Sequence, residues 1–253
     1  MNMRKNTFGV KKLSALVVPL ALAVLLAACG GTGSPANGGP NYSPEHWFAF
    51  DVATGTVLGF NAGYEHAAIS IPSSIGGVPV TVIGDEAFMG GSMVNGQWVL
   101  GHQLTSVVIP NSVTSIGDNA FGDNNLTSIV IPSSVTSLGI WAFGDNNLTS
   151  VVIPSSVTTI GLWAFSGNNL ASVVIPNSVT AIGVRAFGTN NLTSVTIGWG
   201  ATNIGQNVFA DNPNLATVTV RLAQGETQEV ALTRLGTNWS SGIPGTATIV
   251  FAP

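Results

Sequence analysis

Few side chains in this sequence could do acid–base or metal chemistry, and their spacing does not bring them together. The three histidines, His46, His66 and His102, are widely separated, and none has a second metal ligand at the spacing used by zinc sites. Asp85-Glu86 is the one pair of adjacent carboxylates, and its place in a repeated segment favours a solvated turn. The sequence contains no nucleophile-elbow, zinc-protease or phosphate-loop motif. We therefore expect no catalytic residue, metal site or cofactor, and we predict that the protein is not an enzyme.

The single cysteine, Cys29, has the clearest chemical role. Four basic residues among the first twelve precede an apolar stretch over 13–28, which is typical of a secretory signal peptide. The stretch ends in Leu26-Ala27-Ala28-Cys29, which resembles the lipobox of bacterial lipoproteins. The resemblance implies that residues 1–28 are a lipoprotein signal peptide and that the Cys29 thiol carries diacylglycerol. An ordinary signal peptide followed by a bystander cysteine is the alternative.

Charge and composition limit the partners of the mature chain. Removal of residues 1–28 leaves three arginines against eleven acids, a side-chain balance of −8. No basic patch remains to neutralise phosphates, so we do not expect nucleic acid as a partner. Residues 29–45 consist mostly of Gly, Pro, Ser and Asn, a composition typical of a flexible tether between a lipidated residue and a folded domain.

A 22-residue repeat occupies the centre of the chain and determines the fold. Four copies superimpose without a gap: LTSVVIPNSVTSIGDNAFGDNN (104–125), LTSIVIPSSVTSLGIWAFGDNN (126–147), LTSVVIPSSVTTIGLWAFSGNN (148–169) and LASVVIPNSVTAIGVRAFGTNN (170–191). A degenerate fifth copy starts at Leu192 and a partial sixth at Leu215. An earlier copy, 69–88, is separated from Leu104 by an insertion at about 89–103.

The apolar positions of one copy indicate its local structure. Val107 and Ile109 have the period of a strand that Pro110 ends, and a second short extended stretch precedes Gly117. Asn124-Asn125 predicts a turn towards the next coil. One coil cannot bury its apolar side chains alone, whereas stacked coils place equivalent residues in continuous columns. We predict a mainly β solenoid of about six to seven 22-residue coils with little helix.

The pattern L-x-x-V-x-I-P-x-S-V-x-x-I-G-x-x-A-F resembles the BspA-like, treponemal-type leucine-rich repeats of bacterial surface proteins. The likeness covers about residues 69–222 and implies a leucine-rich-repeat solenoid. Residues 46–68 are expected to cap its N-terminal end, and residues 223–253, with a strand at 246–251, its C-terminal end. In this subtype serine replaces the asparagine of ordinary leucine-rich repeats, here at Ser112, Ser134, Ser156 and Ser178.

The strongest candidate ligand-binding surface comes from the two positions that precede the Ala-Phe element. They are polar in the outer copies but read Ile140-Trp141, Leu162-Trp163 and Val184-Arg185 in the central copies. Stacking would place Trp141, Trp163 and Arg185 side by side, and we call these three residues the Trp ladder. Trp and Arg are enriched at interface hot spots, so we predict a partner-binding patch. Packing beneath a neighbouring turn or the 89–103 insertion is the alternative.

A weaker candidate surface is the outward face of the first strand of each coil. We call it the sheet face, and its central members are Ser128, Val130, Ser150, Val152, Ser172 and Val174. Leucine-rich repeats commonly bind ligands through their sheet. Alternatively, small side chains simply suit a close-packed sheet.

These observations predict a lipid-anchored protein of the bacterial cell envelope that binds a protein or glycan ligand. The resemblance implies a role in adhesion. Gly30 after Cys29 is not an aspartate retention signal, so in a two-membrane cell the outer membrane or cell surface is expected. A self-associating structural component of the envelope, or an enzyme with its site in the caps, are the alternatives.

Overall fold

The computed structural model describes residues 42–62, 66–94, 97–236 and 239–253. The predicted signal peptide, Cys29 and most of the tether lie outside these residues. The described residues form mainly short strands, as the sequence predicts. They are β1 (Phe48–Asp51), β2 (Thr56–Phe60), β3 (Ala68–Ser70), β4 (Ser74–Ile75), β5 (Val78–Pro79), β6 (Val82–Ile83), β7 (Gly91–Val94), β8 (Gln97–Leu100), β9 (Ser106–Val108), β10 (Ser115–Ile116), β11 (Ser137–Leu138), β12 (Thr159–Ile160), β13 (Ser172–Ile175), β14 (Ala181–Ile182), β15 (Ser194–Ile197), β16 (Asn203–Ile204), β17 (Thr217–Arg221) and β18 (Thr248–Ala252). A 3₁₀ turn spans Glu45–Trp47, and one α-helix, α1 (Gln228–Leu235), follows β17 in the part of the chain described.

The coils stack in register along an eight-stranded sheet. Its order is β1-β2-β6-β10-β11-β12-β14-β16, and each coil adds a two-residue parallel strand. Ser115 pairs with Ser137, and Ser137 pairs with Thr159, so the partners are one 22-residue repeat apart. This register confirms that the repeats form a solenoid. The insertion in the first coil forms a separate antiparallel hairpin of β7 and β8.

The column of first strands is interrupted in the central coils. β3 pairs with β9, and β13, β15, β17 and β18 form a four-stranded sheet. Between these two groups, the described residues show one isolated bridge, from Val130 to Val152. The first strands therefore form a hydrogen-bonded ladder towards the two ends of the solenoid but not through these central coils. The eight-stranded sheet and the hydrogen bonds between turns hold the coils in register there. Continuous hydrogen bonding between the first strands is therefore not required.

Equivalent apolar side chains form buried columns along the solenoid axis. Six fully buried phenylalanines stack with ring centroids 5.4–6.0 Å apart: Phe88, Phe121, Phe143, Phe165, Phe187 and Phe209. The leucines that open the coils are also fully buried: Leu104, Leu126, Leu148, Leu170 and Leu192. Because each inner ring contacts a ring on both sides, no coil buries its phenylalanine alone.

The Ala-Phe turns are bonded from coil to coil through their backbones. The Phe121 N–H donates to the Ala142 carbonyl at 2.9 Å, and the Phe143 N–H donates to the Ala164 carbonyl at 2.9 Å. Each turn contains a residue with positive φ two positions before its phenylalanine: Glu86, Asn119, Trp141, Trp163, Arg185 and Asn207. The left-handed conformation is therefore a requirement of the turn and not of any one side chain.

A column of buried asparagines connects each coil to the one before it. Its members, the asparagine column, are Asn124, Asn146, Asn168, Asn190 and Asn212. Asn168 is representative, because its Oδ1 accepts from the Leu148 N–H at 2.9 Å. Its Nδ2 donates to the carbonyls of Phe143 at 2.9 Å and Phe165 at 3.2 Å. The sequence predicted only a turn here, whereas the amides satisfy backbone groups that face the core.

The C-terminal segment covers the last coil and is anchored by one arginine. α1 begins after Thr227, whose Oγ1 accepts from the Val230 N–H at 3.3 Å. Arg234, near the end of the helix, donates from Nη1 to the Ala201 carbonyl at 2.8 Å and from Nε to Glu226 at 2.8 Å. The hydrogen bond from the Arg234 guanidinium holds the pKa of Glu226 below its ordinary value, although desolvation opposes this shift.

Replacement of one member of the asparagine column should be strongly destabilising. Asn168→Ala leaves the buried Leu148 N–H without its acceptor and removes one of two amide donors from each of the Phe143 and Phe165 carbonyls, which keep Asn146 and Asn190. The expected cost is about 1–3 kcal/mol in the free energy of unfolding. The neighbouring Asn169→Ala, at an exposed position, is the matched control and should cost less than about 0.5 kcal/mol. Urea unfolding followed by circular dichroism measures both. Equal midpoints for the two variants would contradict a structural role for the column.

The Arg234–Glu226 pair should make stability depend on pH in acid. Because the pKa of Glu226 is lower in the folded state, the stabilisation is fully present above the ordinary glutamate pKa. It is lost as the pH falls through the folded-state value. Arg234→Gln should cost about 1–3 kcal/mol at neutral pH and flatten this acid limb in thermal unfolding measured from pH 7 to pH 3. Arg185→Gln, which changes an exposed pair, should leave the limb unchanged. An unchanged slope in Arg234→Gln would contradict the assignment.

Candidate recognition surface

The structure places the Trp ladder on one corner of three consecutive coils. The ring centroids of Trp141 and Trp163 are 6.0 Å apart, and the ring planes are inclined by 58°. Arg185 occupies the equivalent position in the following coil. Beside the ladder, Ile140 and Leu162 are 39% and 37% exposed. The remaining predicted member of the patch, Val184, is half-buried.

The backbone of the ladder favours other residue types. Trp141, Trp163 and Arg185 have φ of 55°, 53° and 54°, and Asn119 and Asn207 occupy the same position in other coils with φ of 54° and 56°. Asparagine tolerates the left-handed region, whereas other L-residues pay about 1–2 kcal/mol there. The turn itself therefore does not explain the two tryptophans. Their side chains must be accounted for by packing or by binding.

Trp141 packs against the turns of its own coil and the preceding coil. A Cβ at Gly144 would lie 2.5 Å from the Trp141 Nε1, and a Cβ at Gly122 would lie 2.7 Å from the Trp141 Cδ1. The ring therefore occupies the space that these two glycines leave. Its Nε1 is buried and has no hydrogen-bond acceptor in the described residues. Packing against these turns therefore accounts for the Nε1 and Cδ1 side of the Trp141 ring.

Trp163 cannot adopt the same pose in its own coil. Ser166 occupies the position of Gly144 and is buried, so a Cβ stands where the ring of Trp141 lies in the preceding coil. The 58° inclination between the two rings agrees with this steric difference. The Trp163 side chain is half-buried, and its Nε1, unlike that of Trp141, is not among the described buried polar atoms that lack a hydrogen-bond partner. Gly122, Gly144 and Ser166 thus shape the patch, although the sequence did not single them out.

The patch carries little net charge. The Arg185 Nη1 lies 2.7 Å from the Asp211 Oδ2, and the two side chains are 37% and 58% exposed. Such exposed pairs contribute little to stability, but this one compensates the guanidinium charge. The surface offered to a partner is therefore aromatic and aliphatic, with a neutralised ion pair at one end.

The sheet face is open to solvent in the central coils. Val130, Val152 and Val174 are 81%, 80% and 58% exposed. Ser128, Ser150 and Ser172 are exposed as well. A shallow depression of about 340 Å³ is lined by residues of two consecutive coils, including Ser150, Val152, Ser172 and Val174. It lies where the strand ladder is interrupted.

Two of the three histidines are brought together at the N-terminal end. His66 and His102 line one depression of about 270 Å³ with Gln103. The Trp47 ring stacks on His66 with centroids 3.7 Å apart, and the His102 ring lies edge-on to Phe60 at 4.5 Å. In the described ranges, no three His, Cys, Asp or Glu residues are grouped so that they could hold a metal ion. The described helices include none with the length and apolarity to cross a bilayer.

The stacked coils, buried leucine and phenylalanine columns and asparagine column define a leucine-rich-repeat solenoid. The family model described as the BspA type leucine rich repeat region matches residues 100–216 in six copies. Residues 100–216 are therefore BspA-type leucine-rich repeats, and the predicted resemblance is confirmed. Repeats of this family are typically non-enzymatic and mediate protein binding. None of the curated proteins matches the chain.

Solved structures of bacterial leucine-rich-repeat proteins resemble the chain. A leucine-rich repeat protein from Bacteroides ovatus is 23% identical with a TM-score of 0.59, over 83% of this chain and 50% of that one. A leucine rich cell surface protein from Faecalibacterium prausnitzii is 27% identical with a TM-score of 0.49, over 74% and 56%. A T. pallidum leucine-rich repeat protein is 20% identical with a TM-score of 0.44, over 84% and 82%. The first of these supports the fold. The chain spans about half the length of the first two proteins.

Proposed function

We propose that the protein is a lipid-anchored adhesin-type protein of the bacterial cell envelope that binds a protein partner through the Trp ladder. The observation that carries the proposal is the presence of two tryptophans in a left-handed turn position that asparagine occupies in neighbouring coils. A stable turn does not need these rings. Together with Ile140 and Leu162 they form an apolar cluster at the surface, the kind of patch that marks binding sites.

The geometry of the rings favours a protein over a glycan. A sugar chain that stacks on two tryptophans needs rings that form one flat platform. The rings of Trp141 and Trp163 are inclined by 58°, and aliphatic side chains flank them. Such an uneven apolar surface suits the side chains of a protein. A glycan is the alternative outcome of the test below.

The sheet face is the second candidate surface, because Val130 and Val152 are about four-fifths exposed. Pairing of two copies through this face would make the protein a self-associating envelope component. A face about 30 Å long and one short strand wide offers a few hundred Å², below the roughly 800 Å² per partner of a stable interface. We therefore place the binding function on the Trp ladder.

Anchoring through Cys29 supplies the proposed location. The acyl chains that the lipobox implies would each contribute about 0.8 kcal/mol per buried CH₂, enough for firm attachment when several chains are present. The tether of residues 30–45 would hold the solenoid away from the bilayer. Outer-membrane placement follows from the residue after the cysteine, Gly30, and stays a proposal.

Substitution of the two tryptophans by the residue that the turn prefers separates binding from packing. Trp141→Asn/Trp163→Asn should leave the free energy of unfolding within about 1 kcal/mol of wild type, because relief of left-handed strain offsets lost ring contacts. The same variant should lose capture of its partner by at least tenfold. Intact cells expressing the full-length protein are exposed to extracellular-matrix proteins, host-surface proteins and a glycan array, and capture is quantified by mass spectrometry or fluorescence.

The matched control changes the sheet face instead. Val130→Thr/Val152→Thr uses the residue found at the equivalent Thr196, so the fold should tolerate it. This variant should bind like wild type. Loss of stability without loss of binding in the tryptophan variant would favour the packing account. Loss of binding in the valine variant alone would move the site to the sheet face.

Anchoring is tested by removing the thiol. Cys29→Ser in the full-length chain should abolish lipid attachment, because a hydroxyl does not replace the thiol in lipid transfer. The protein should move from the detergent phase to the aqueous phase in detergent phase separation. Ser34→Ala in the same tether is the control and should stay in the detergent phase. An unchanged distribution of Cys29→Ser would favour the ordinary signal peptide.

A further inference from the structure

The C-terminal strand β18 ends the column of first strands and, within the described residues, has a neighbouring strand on one side only. It pairs in parallel with β17, and the four-stranded sheet ends there. The Thr248 N–H donates to the Ala216 carbonyl at 2.8 Å, so alternate residues from Thr248 direct their backbone groups towards β17. The N–H and C=O groups of Ile249 and Phe251 therefore point outward, and we call these four groups the β18 edge.

The opposite end of the same column is covered. β3 is its first rung, and Ser43 uses both backbone groups of Ser70. The Ser43 N–H donates to the Ser70 carbonyl at 2.8 Å, and the Ser70 N–H donates to the Ser43 Oγ at 3.0 Å. Natural sheet edges are usually blunted by charged side chains, by proline or by a covering segment. Residues 246–252 contain no charged residue and no proline, so β18 keeps an edge that can pair with another strand.

Two apolar columns also stop at β18. Val218 and Val220 are fully buried, and their register partners in β18 are Ile249 and Phe251. Ile249 is nevertheless 39% exposed, because no further coil covers it in the part of the chain that the structure describes. On the other face of the strand, Val250 is 40% exposed. The partner that fits this edge is therefore a β-strand with apolar side chains, since it supplies both the backbone groups and the apolar cover.

The β18 edge is complementary to itself. In an antiparallel pair centred on Val250, Ile249 lies opposite Phe251 of the second copy, and these two residues exchange both backbone hydrogen bonds. The twofold axis repeats this pair, so four hydrogen bonds satisfy the whole edge. Opposite side chains lie on the same face of a sheet, so Phe251 of the second copy covers the exposed part of Ile249. The two Val250 residues meet on the axis, where no charge opposes its own copy.

We propose that the β18 edge binds a second copy of this chain in antiparallel register. The inference goes beyond the proposed function, because this surface is separate from the Trp ladder. A five-residue strand is about 17 Å long, so the contact is small and free protein should associate weakly. Many anchored copies that face one another multiply such a contact. The twofold axis points the two solenoids away from each other, so the pair suits contact between two lipid-anchored layers.

The register is tested by disulfide formation in the purified full-length protein in detergent. The Cα atoms of a close antiparallel pair are about 4.5 Å apart, a separation that a disulfide can bridge. Val250→Cys should therefore form a covalent dimer under mild oxidation. Thr248→Cys, exposed on the same face of the strand, is the matched control, because its copies are offset by about 14 Å along the strand. It should cross-link at least tenfold less. Val152→Cys probes the sheet face, and the unsubstituted chain reports any cross-link through Cys29.

Contact between two layers is tested with charges at the axis. Phosphatidylcholine vesicles that carry the full-length lipoprotein should cluster, as measured by light scattering. Because Val250 faces its own copy, Val250→Lys and Val250→Glu should each reduce clustering at least tenfold. A mixture of Lys-bearing and Glu-bearing vesicles should cluster again. Misfolding of the two variants cannot produce this rescue, and both should melt within about 2 °C of wild type because the side chain points outward.

The outcomes separate this inference from the proposed function. Absence of cross-linking in Val250→Cys overturns the pairing, and equal cross-linking of Thr248→Cys overturns the antiparallel register. Preferential cross-linking of Val152→Cys moves self-association to the sheet face. Failure of the mixed vesicles to cluster overturns the contact between layers. Trp141→Asn/Trp163→Asn should still cross-link through Val250→Cys, and Val250→Lys should still capture the partner of the Trp ladder, so each proposal can fail alone.

Discussion

A buried amide that hydrogen-bonds to two coils at once is the interaction on which the solenoid depends. Each asparagine of the asparagine column accepts from a leucine N–H and donates to phenylalanine carbonyls of its own and the preceding coil, as Asn168 does. These backbone groups face the core, where an unpaired polar group is costly. The amide therefore fixes the distance and rotation between neighbouring coils. The phenylalanine column can then stack ring on ring at a nearly constant spacing.

The inward side chains fill the core and pair its buried backbone groups. The outward positions can therefore vary without loss of the fold. The left-handed turn residue shows this freedom, since the same backbone accommodates Asn119, Trp141 and Arg185. The scaffold holds whatever stands there at a fixed height and spacing. A recognition surface on such a rigid frame gains precision without a dedicated loop. The sheet face in the central coils is open for the same reason. The register of these coils does not require continuous hydrogen bonding between their first strands.

The sequence predicted the architecture well because its signal is periodic. Leucines and phenylalanines that recur at 22-residue intervals, and a proline after the first strand position in the four gapless copies, required stacked coils with inward columns. The asparagine column has the same period, but asparagine pairs also form turns, and its second role depends on contacts with another coil. The pose of Trp141 could not be predicted from the sequence either, because it too depends on contacts between coils. It depends on glycines in two coils, and the difference between Gly144 and Ser166 has meaning only once the ring position is known. Likewise, His66 and His102 are distant in sequence and meet only because the N-terminal segment folds over the first coil.

The register between near-identical coils allows the number of coils to change. The interfaces among the central coils repeat the same leucine, phenylalanine and asparagine contacts, so one whole unit could be gained or lost without redesign of its neighbours. Each such event would move surface groups on either side of it by one strand spacing, about 4.8 Å along the axis. The distance between features on separate coils, such as the first-coil hairpin and the Trp ladder, is thus set by the number of coils between them. This distance changes in discrete steps, and recombination that adds or removes a coil is sufficient to change it.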